Sequence, residues 1–281
     1  MITMKKSGLK FIFILSICAI LISCKYDHEE QLIDPLAGLT KLKEGYAIGA
    51  SARIEIWGRK NFFVGTNNLV VVLYDSLNLN EKITDAHIHF MPLMTMGMGT
   101  ISMQQSCPIE DPNETALNNV FWGTVAFIMP SDTANTWKLS VMVHNHKINK
   151  EGQANFDISV DNPVTSVLSV FPSQSADNSL LVLSLIQPTV PKVGIKDIEF
   201  TIYRTNDLMV FLPDDSYTLE ITPEMAVTGI ESLNNVNPVN TSLGHYKGKV
   251  NFTMSGEWRV NVLVKKDGII ISNNVYFKMA I

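Results

Sequence analysis

Apolar and polar residues alternate along most of the chain after residue 40, with a period of two. In an extended strand this period places every second side chain on the same face, so it predicts strands that bury one face. No segment keeps the spacing of an amphipathic helix over three turns. The clearest alternating segments are residues 52–57, 68–74, 136–143, 197–203, 217–221, 249–254 and 257–264. Prolines lie between these segments, and the whole pattern predicts an all-β sandwich fold.

Four short motifs occur twice in the same order, which indicates an internal repeat. Each half has a strand from Gly to Tyr, a Pro-containing segment that ends in Met, a Gly-x-Val-x-Phe-x-Met strand, and a strand that begins with Trp. The first copies are residues 65–74, 90–94, 123–129 and 137–143, and the second copies are residues 194–203, 221–225, 248–254 and 258–264. We therefore predict two tandem immunoglobulin-like β-sandwich domains, at residues 41–165 and 166–281.

The order of these motifs resembles that of FixH and YtkA-like domains, which are small β-sandwiches associated with copper handling in bacteria. The resemblance covers most of both halves. The methionines that the family carries around its Pro-Met segment match residues 91–98 of the first half, and Ser-Cys-Pro follows at residues 106–108. The second half keeps Pro223 and Met225 and loses the rest. The resemblance therefore implies that a metal site belongs to the first domain and that the second domain is a structural copy.

Residues 1–23 have the pattern of an export signal, with three lysines around the start of an apolar run at residues 11–22. As a helix this run is about 18 Å long, whereas the hydrocarbon core of a bilayer is about 30 Å thick, so it predicts a cleaved signal. The Leu-Ile-Ser-Cys sequence at residues 21–24 resembles the lipobox of bacterial lipoproteins. This resemblance implies that Cys24 becomes the lipid-modified first residue and anchors the chain to the membrane of the bacterial envelope.

Residues 24–40 begin with a polar and acidic stretch, so we expect a solvated tether between the lipid and the folded domains. The acidic cluster at residues 27–30 also resembles the surface-export signal of Bacteroidetes lipoproteins. That resemblance implies an outer-membrane protein that faces outward. A charged spacer that only holds the domains away from the membrane is the alternative explanation.

Removal of the signal leaves 19 basic and 27 acidic residues, which is a formal net charge of −8. Such a chain is repelled by nucleic acid and by anionic membrane surfaces, so nucleic-acid binding is disfavoured. Cys18 leaves with the signal and Cys24 is assigned to the lipid, so Cys107 remains as the one thiol. No internal disulfide is therefore expected.

Methionines are concentrated in one short part of the first domain, because five of the 13 lie between Met91 and Met103. Just before them, His87 and His89 share one face of a predicted strand with Met91. Glycines and a threonine separate the next methionines, so we expect a polar loop that folds around an ion. The candidate metal ligands are His87, His89, Met91, Met94, Met96, Met98, Met103 and Cys107.

Thioether and thiolate donors select Cu(I), and imidazole binds copper in either oxidation state, so this mixture predicts copper. Zinc would leave the methionines without a role, and calcium or magnesium would require more oxygen ligands than the motif offers. We therefore expect an envelope protein that delivers, stores or sequesters copper, together with a copper-handling or membrane-complex partner. Packing of the methionines against a sheet or a partner is the alternative, and we expect packing for Met225 and Met254.

A second His-x-His pair, His144 and His146, closes the strand that begins at Trp137. The alternation places both histidines on the face opposite to Trp137. They are expected to form a weak metal site, to join the first cluster, or to be a solvated strand end before a turn that contains lysines. His245 belongs to no pattern.

The motifs of common enzyme classes do not occur in the sequence, which has no phosphate-binding loop, nucleophile elbow or His-Glu-x-x-His helix. We therefore expect a protein that is not an enzyme. The rival to copper binding is a surface binding or adhesion module that recognises glycans or proteins, because a sandwich scaffold does not specify its function. This rival predicts exposed aromatic contact residues such as Trp57, Trp122 or Tyr46, and histidines that do not converge.

Overall fold

The computed structural model describes residues 34–98 and 101–281, where the regular secondary structure is almost entirely antiparallel strands. The predicted signal, Cys24 and the first part of the tether lie outside the described residues, as do the side chains of Met98 and Ile101. Within the described part, no helix is long and apolar enough to cross a membrane.

The first sandwich contains ten strands in two sheets. One sheet has the order β1-β2-β3-β8-β7 with β4 beside β3, and the other has the order β10-β9-β5-β6. A short 3-10 turn at Ile48–Ala50 follows β1. The strands are β1 (Thr40–Ala47), β2 (Ala52–Gly58), β3 (Gly65–Asp75), β4 (Lys82–Ile83), β5 (Ala86–Met98), β6 (Ile101–Gln105), β7 (Ile109–Glu110), β8 (Phe121–Phe127), β9 (Asn135–Asn145) and β10 (Lys150–Ile158).

The second sandwich contains nine strands and repeats the central part of this arrangement. Its sheets have the orders β11-β12-β13-β17-β16, with β14 beside β13, and β15-β18-β19. The strands are β11 (Leu168–Pro172), β12 (Leu180–Gln187), β13 (Gly194–Thr205), β14 (Leu212–Pro213), β15 (Thr218–Met225), β16 (Val236–Ser242), β17 (His245–Phe252), β18 (Glu257–Lys266) and β19 (Ile269–Ala280). The predicted fold class, an all-β chain with two tandem sandwiches, is confirmed.

The tryptophan that begins the last core strand has the same contacts in both sandwiches. The Trp137 indole donates a hydrogen bond to the Met129 carbonyl at 2.9 Å, and its ring lies 5.0 Å from that of Phe127. In the second sandwich the Trp258 indole donates to the Met254 carbonyl at 3.0 Å, beside Phe252. These tryptophans are buried because an aromatic ring removes a large apolar area from water while its N–H keeps a partner.

The alternating pattern of the sequence corresponds to side chains that point into or away from each core. In β9, Trp137, Leu139, Val141 and Val143 are buried, while the residues between them lie on the outer face. The two sandwiches have separate apolar cores, one between residues 47 and 160 and one between residues 181 and 279. The expectation that Met254 packs in the core is wrong, because its side chain is 49% exposed. Met225 does pack against the second core.

Candidate functional site

Strand β5 carries most of the predicted metal ligands and divides them between its two faces. Odd-numbered residues point outward, and the side chains of His87 and His89 are 44% and 37% exposed. Even-numbered residues point inward, and Met94 is fully buried together with Cys107. Successive side chains of a strand point to opposite faces. A histidine at an odd position and a methionine at an even position therefore lie on opposite sides of the sheet.

The expected polar loop around the methionines is a β-hairpin instead. Strand β5 continues as far as Met98, and β6 pairs with it from Met94 opposite Gln105 to Met98 opposite Ile101. The backbone N–H of Gly97 also donates to the carbonyl of Ala134, which extends the pairing on the other side. Strand β6 follows β5 directly in the chain, whereas Ala134 comes from a distant segment, and local glycine content revealed neither pairing.

The outer-face histidines gather around the second His-x-His pair. The register of β5 and β9 places His87 directly opposite His144 and His89 opposite Met142. The rings of His144 and His146 lie edge to face with centroids 5.1 Å apart. His144 and His146 therefore lie on the same outer face as His87 and His89, while the buried thioether of Met94 lies on the other face.

Carboxylates hold three of these imidazoles in place. The Nδ1 atom of His89 lies 2.5 Å from Asp111, that of His146 lies 2.7 Å from Asp85, and that of His87 lies 3.3 Å from Glu114. An imidazole fixed in this way can bind a further ligand through Nε2. Among residues 34–98 and 101–281, however, no three His, Cys, Asp or Glu side chains are placed to hold a metal ion together.

The inward methionines form a separate cluster around a buried amide. Gln105 is 2% exposed, and its Nε2 atom lies 3.1 Å from the sulfur of Met94 and 3.1 Å from that of Met129. The two sulfurs are therefore at most twice that distance apart. Met96 lies directly opposite Met103 on the same face of the hairpin. The structure thus places predicted ligands Met94, Met96 and Met103 on one face of the hairpin, with Met129 beside Gln105; Met94 is fully buried, whereas Met103 is 64% exposed.

Cys107 is placed with the core rather than with the exposed donors. Its side chain is 3% exposed, and burial raises the pKa of the thiol well above its usual range. Metal binding by cysteine requires the thiolate, and this environment disfavours the charged form. Met91 points outward with the histidines, as the sequence predicted, and contributes to a cleft instead of the thioether cluster.

A cleft of about 520 Å³ lies between the two sandwiches. Its floor belongs to the outer face of β5, β9 and β10, where it is lined by His89, Met91, Ser140 and Gln153. Its wall comes from residues 209–211 of the second sandwich, which include Phe211. The wall residues were not predicted, since they lie in an unpatterned loop and reach the cleft only through the packing of the two halves.

The aromatic residues predicted as contact residues lie on the opposite side of the first sandwich. Trp57 and Trp122 belong to one cross-strand row, and Tyr46 lies opposite Arg53, four residues along β2 from Trp57. Four strand residues correspond to about 13 Å, so these rings do not form one continuous platform. Leu36 and Leu39 pack, as Trp57 does, against Val70, Val72 and Val120 on this face. The cleft is therefore the better-formed site.

Comparisons with known proteins give distant likenesses alone. No family model and no curated protein matches the chain. Among solved structures, domains 5–6 of the S-layer protein SbsC are 11% identical, with a TM-score of 0.30 over 85% of this chain and 96% of that chain. The Escherichia coli adhesin FdeC is 13% identical, with a TM-score of 0.22 over 87% of this chain and 82% of that one. Neither likeness carries an argument about the function of this chain.

Proposed function

We propose that the chain is a lipid-anchored binding module at the bacterial surface that holds a segment of a glycan in the cleft between its sandwiches. The observation that carries the proposal is the cleft itself, whose volume of about 520 Å³ falls within the range of ligand sites. The anchor rests on Cys24, and the outward orientation rests on the acidic cluster behind it.

The lining combines hydrogen-bonding groups on one side with apolar groups on the other. Ser140 and Gln153 both donate to the amide oxygen of Asn155, at 2.6 and 2.7 Å, so a shared partner orients them. A serine hydroxyl accepts as well as donates, and an amide offers both groups. Phe211 and Met209 supply an apolar wall. A sugar unit, with hydroxyl groups around an apolar C–H face, matches this division.

A bulky residue in the floor of the cleft tests the proposal. We expect the Ser140→Trp variant of the mature protein to lose binding to a panel of bacterial and host-surface oligosaccharides, because the indole fills the space of the ligand. The matched control is Thr136→Trp, on the same face of β9 but outside the cleft. Equal binding by Ser140→Trp and the wild type, or no glycan bound by the wild type, would contradict the proposal.

Copper binding is a second candidate, favoured by the thioether cluster of the hairpin. The amide N–H groups of Gln105, whose hydrogens carry partial positive charge, point at two thioether sulfurs, and soft Cu(I) prefers such sulfurs. The ion would be held by Met94, Met129, Met96 and Met103. It would be the cargo that the protein passes to an envelope partner. The outer-face histidines point to the other side of β5 and have no part in this site.

Leucine substitutions separate this candidate from simple packing. We expect the triple variant Met94→Leu, Met96→Leu and Met103→Leu to bind Cu(I) at least tenfold more weakly than the wild type in competition with a colorimetric chelator. The control is Met225→Leu with Met254→Leu, at the positions of the second repeat that match Met94 and Met129. Equal Cu(I) uptake by the triple variant and the control eliminates copper binding at the hairpin.

A further inference from the structure

His245 connects the two sandwiches through a pair of carboxylates. Its Nε2 atom lies 2.9 Å from Glu110 of the first sandwich, and its Nδ1 atom lies 2.7 Å from Glu199 of the second. The side chains of His245 and Glu199 are 21% and 16% exposed, so both are largely shielded from water. Among the described residues, the His245–Glu110 contact is the one ion pair that joins the halves.

The two hydrogen bonds define the protonation state of the ring. A neutral imidazole donates through one nitrogen and accepts through the other, whereas an imidazolium donates through both. An ionised carboxylate has no proton to donate, so it can act only as an acceptor. His245 therefore satisfies Glu110 and Glu199 together only as the charged imidazolium, and its loss of a proton leaves a ring lone pair facing a carboxylate.

The surrounding groups are also charged or polar. Tyr203 donates its hydroxyl to Glu110 at 2.7 Å, and Lys247 lies 3.3 Å from Glu199. Asp215 interacts electrostatically with His245 from the loop before β15. From β16, Asn240 and Thr241 donate to the carbonyl of His245.

Other contacts across the same junction do not depend on pH near neutrality. Thr66 and Ser184 share a hydroxyl hydrogen bond of 2.8 Å, and the Ser106 N–H donates to the Leu208 carbonyl at 2.8 Å. Ile128 packs against a small apolar cluster of the second sandwich that includes Val182. These contacts keep the halves adjacent at all pH values near neutrality. The His245–Glu110 contact is the part of the junction that responds to pH.

We propose that His245 is a pH-sensitive clasp that fixes the second sandwich against the first and loosens as the pH rises. The clasp adjoins the cleft, because Ile109 beside Glu110 is among its lining residues and the wall at residues 209–211 follows the Leu208 contact. Loosening the junction therefore changes the position of the cleft wall relative to its floor.

The direction of the pH effect follows from the two partners. The hydrogen bond to Glu110 raises the pKa of His245; burial opposes the rise, and the bond to Glu199 adds to it. The stabilisation is therefore complete below the ordinary histidine pKa and is lost as the pH rises through the raised pKa. For Glu110, burial alone would raise the pKa, but the hydrogen bonds from His245 and Tyr203 leave it lowered. The charged His245–Glu110 contact is therefore present at pH values between the lowered pKa of Glu110 and the raised pKa of His245.

Spin labels on both sandwiches test the clasp in the mature chain with Cys24→Ser. Leu77→Cys and Val227→Cys give labelling sites that are 90% and 85% exposed in the wild type, whereas Cys107 is buried. We expect a narrow distance distribution by double electron–electron resonance at about pH 6 that broadens as the pH is raised stepwise to about 10. The distance distribution of the His245→Gln variant should be broad at both pH values. The variant His144→Gln, which replaces an outer-face histidine, should behave as the wild type.

A variant on the other sandwich covers the case in which His245→Gln does not fold. In Glu110→Gln the amide can still accept the hydrogen bond but no longer stabilises the imidazolium, so broadening should begin at a lower pH than in the wild type. The proposal is overturned by a wild-type distribution that is the same at both pH values. It is equally overturned by a folded His245→Gln or Glu110→Gln variant that stays as narrow as the wild type throughout.

Discussion

At the scale of the residue, Asn67 shows how one buried amide can organise a strand entry. Its side-chain nitrogen donates to the carbonyls of Phe63, Gly65 and Val125, at 2.8, 2.7 and 3.3 Å. Its oxygen accepts from the N–H of Phe63 at 3.1 Å. The residue is 5% exposed, so these backbone groups depend on the amide instead of water.

Replacement of this amide should be costly. We expect Asn67→Ala to lower the free energy of unfolding by about 2–4 kcal/mol, because buried carbonyls and an N–H lose their partner. Urea denaturation measures the change. Asn68→Ala, at the exposed neighbouring position of the same strand, is the control and should stay within about 0.5 kcal/mol of the wild type. Similar values for the two variants would show that the buried amide contributes no more than its exposed neighbour.

At the scale of the element, β5 shows where prediction from the sequence succeeded and where it failed. The alternation correctly placed His87, His89 and Met91 on one face. It also continued unbroken past Pro92, so the same rule turned Met94 toward the core. Local glycines suggested a loop, but pairing with β6 and Ala134 kept the strand extended. Periodicity predicts faces well, whereas the strands that pair on either side decide where a strand ends.

Another element-scale feature is the close approach of β10 to the short 3-10 turn. A Cβ atom at Gly152 would lie 2.5 Å from the nitrogen of Ala50 and 2.9 Å from the carbonyl oxygen of Ala47. Both are backbone atoms, which cannot rotate out of the way. The glycine therefore permits two backbones to pack directly.

A methyl group at this position should force the turn away from the strand. We expect Gly152→Ala to cost about 1–3 kcal/mol of stability, the range of overpacked sites. Thermal and urea unfolding followed by circular dichroism measure the loss. Gly97→Ala serves as the control, since its Cβ meets its nearest neighbour, Ala134 O, at 3.9 Å. If both variants unfold at the same urea concentration, a methyl group at residue 152 does not overpack the contact with the turn.

At the scale of the whole molecule, the internal repeat was the sequence feature that predicted most of the fold. Matched motifs indicated two sandwiches. The structure shows equivalent strands in both, and in each a buried tryptophan that donates to a methionine carbonyl. The repeat could not reveal the junction, because the residues that form it differ between the copies. His245 and residues 209–211 belong to no pattern, and their roles arise from packing between the halves.

Two separate cores predict two unfolding units. We expect Phe127→Ala and Phe252→Ala, at equivalent positions, each to remove about 3–5 kcal/mol from its own sandwich. Scanning calorimetry of the mature protein should show two transitions, with each variant lowering a different one. A single transition that both variants lower equally would instead show that the sandwiches unfold together.

The packing of Leu36 and Leu39 has a consequence for how the molecule is presented. These residues lie on the outer face of the β1-β2-β3-β8-β7 sheet, whereas the cleft opens beside the outer face of the other sheet. The two outer faces of a sandwich point in opposite directions. With the proposed lipid at Cys24, ten residues separate the anchor from Asp34, a reach of at most about 36 Å. The proposed anchor therefore connects to the chain just before residues that pack on the face pointing away from the cleft, so those residues leave the proposed ligand site uncovered.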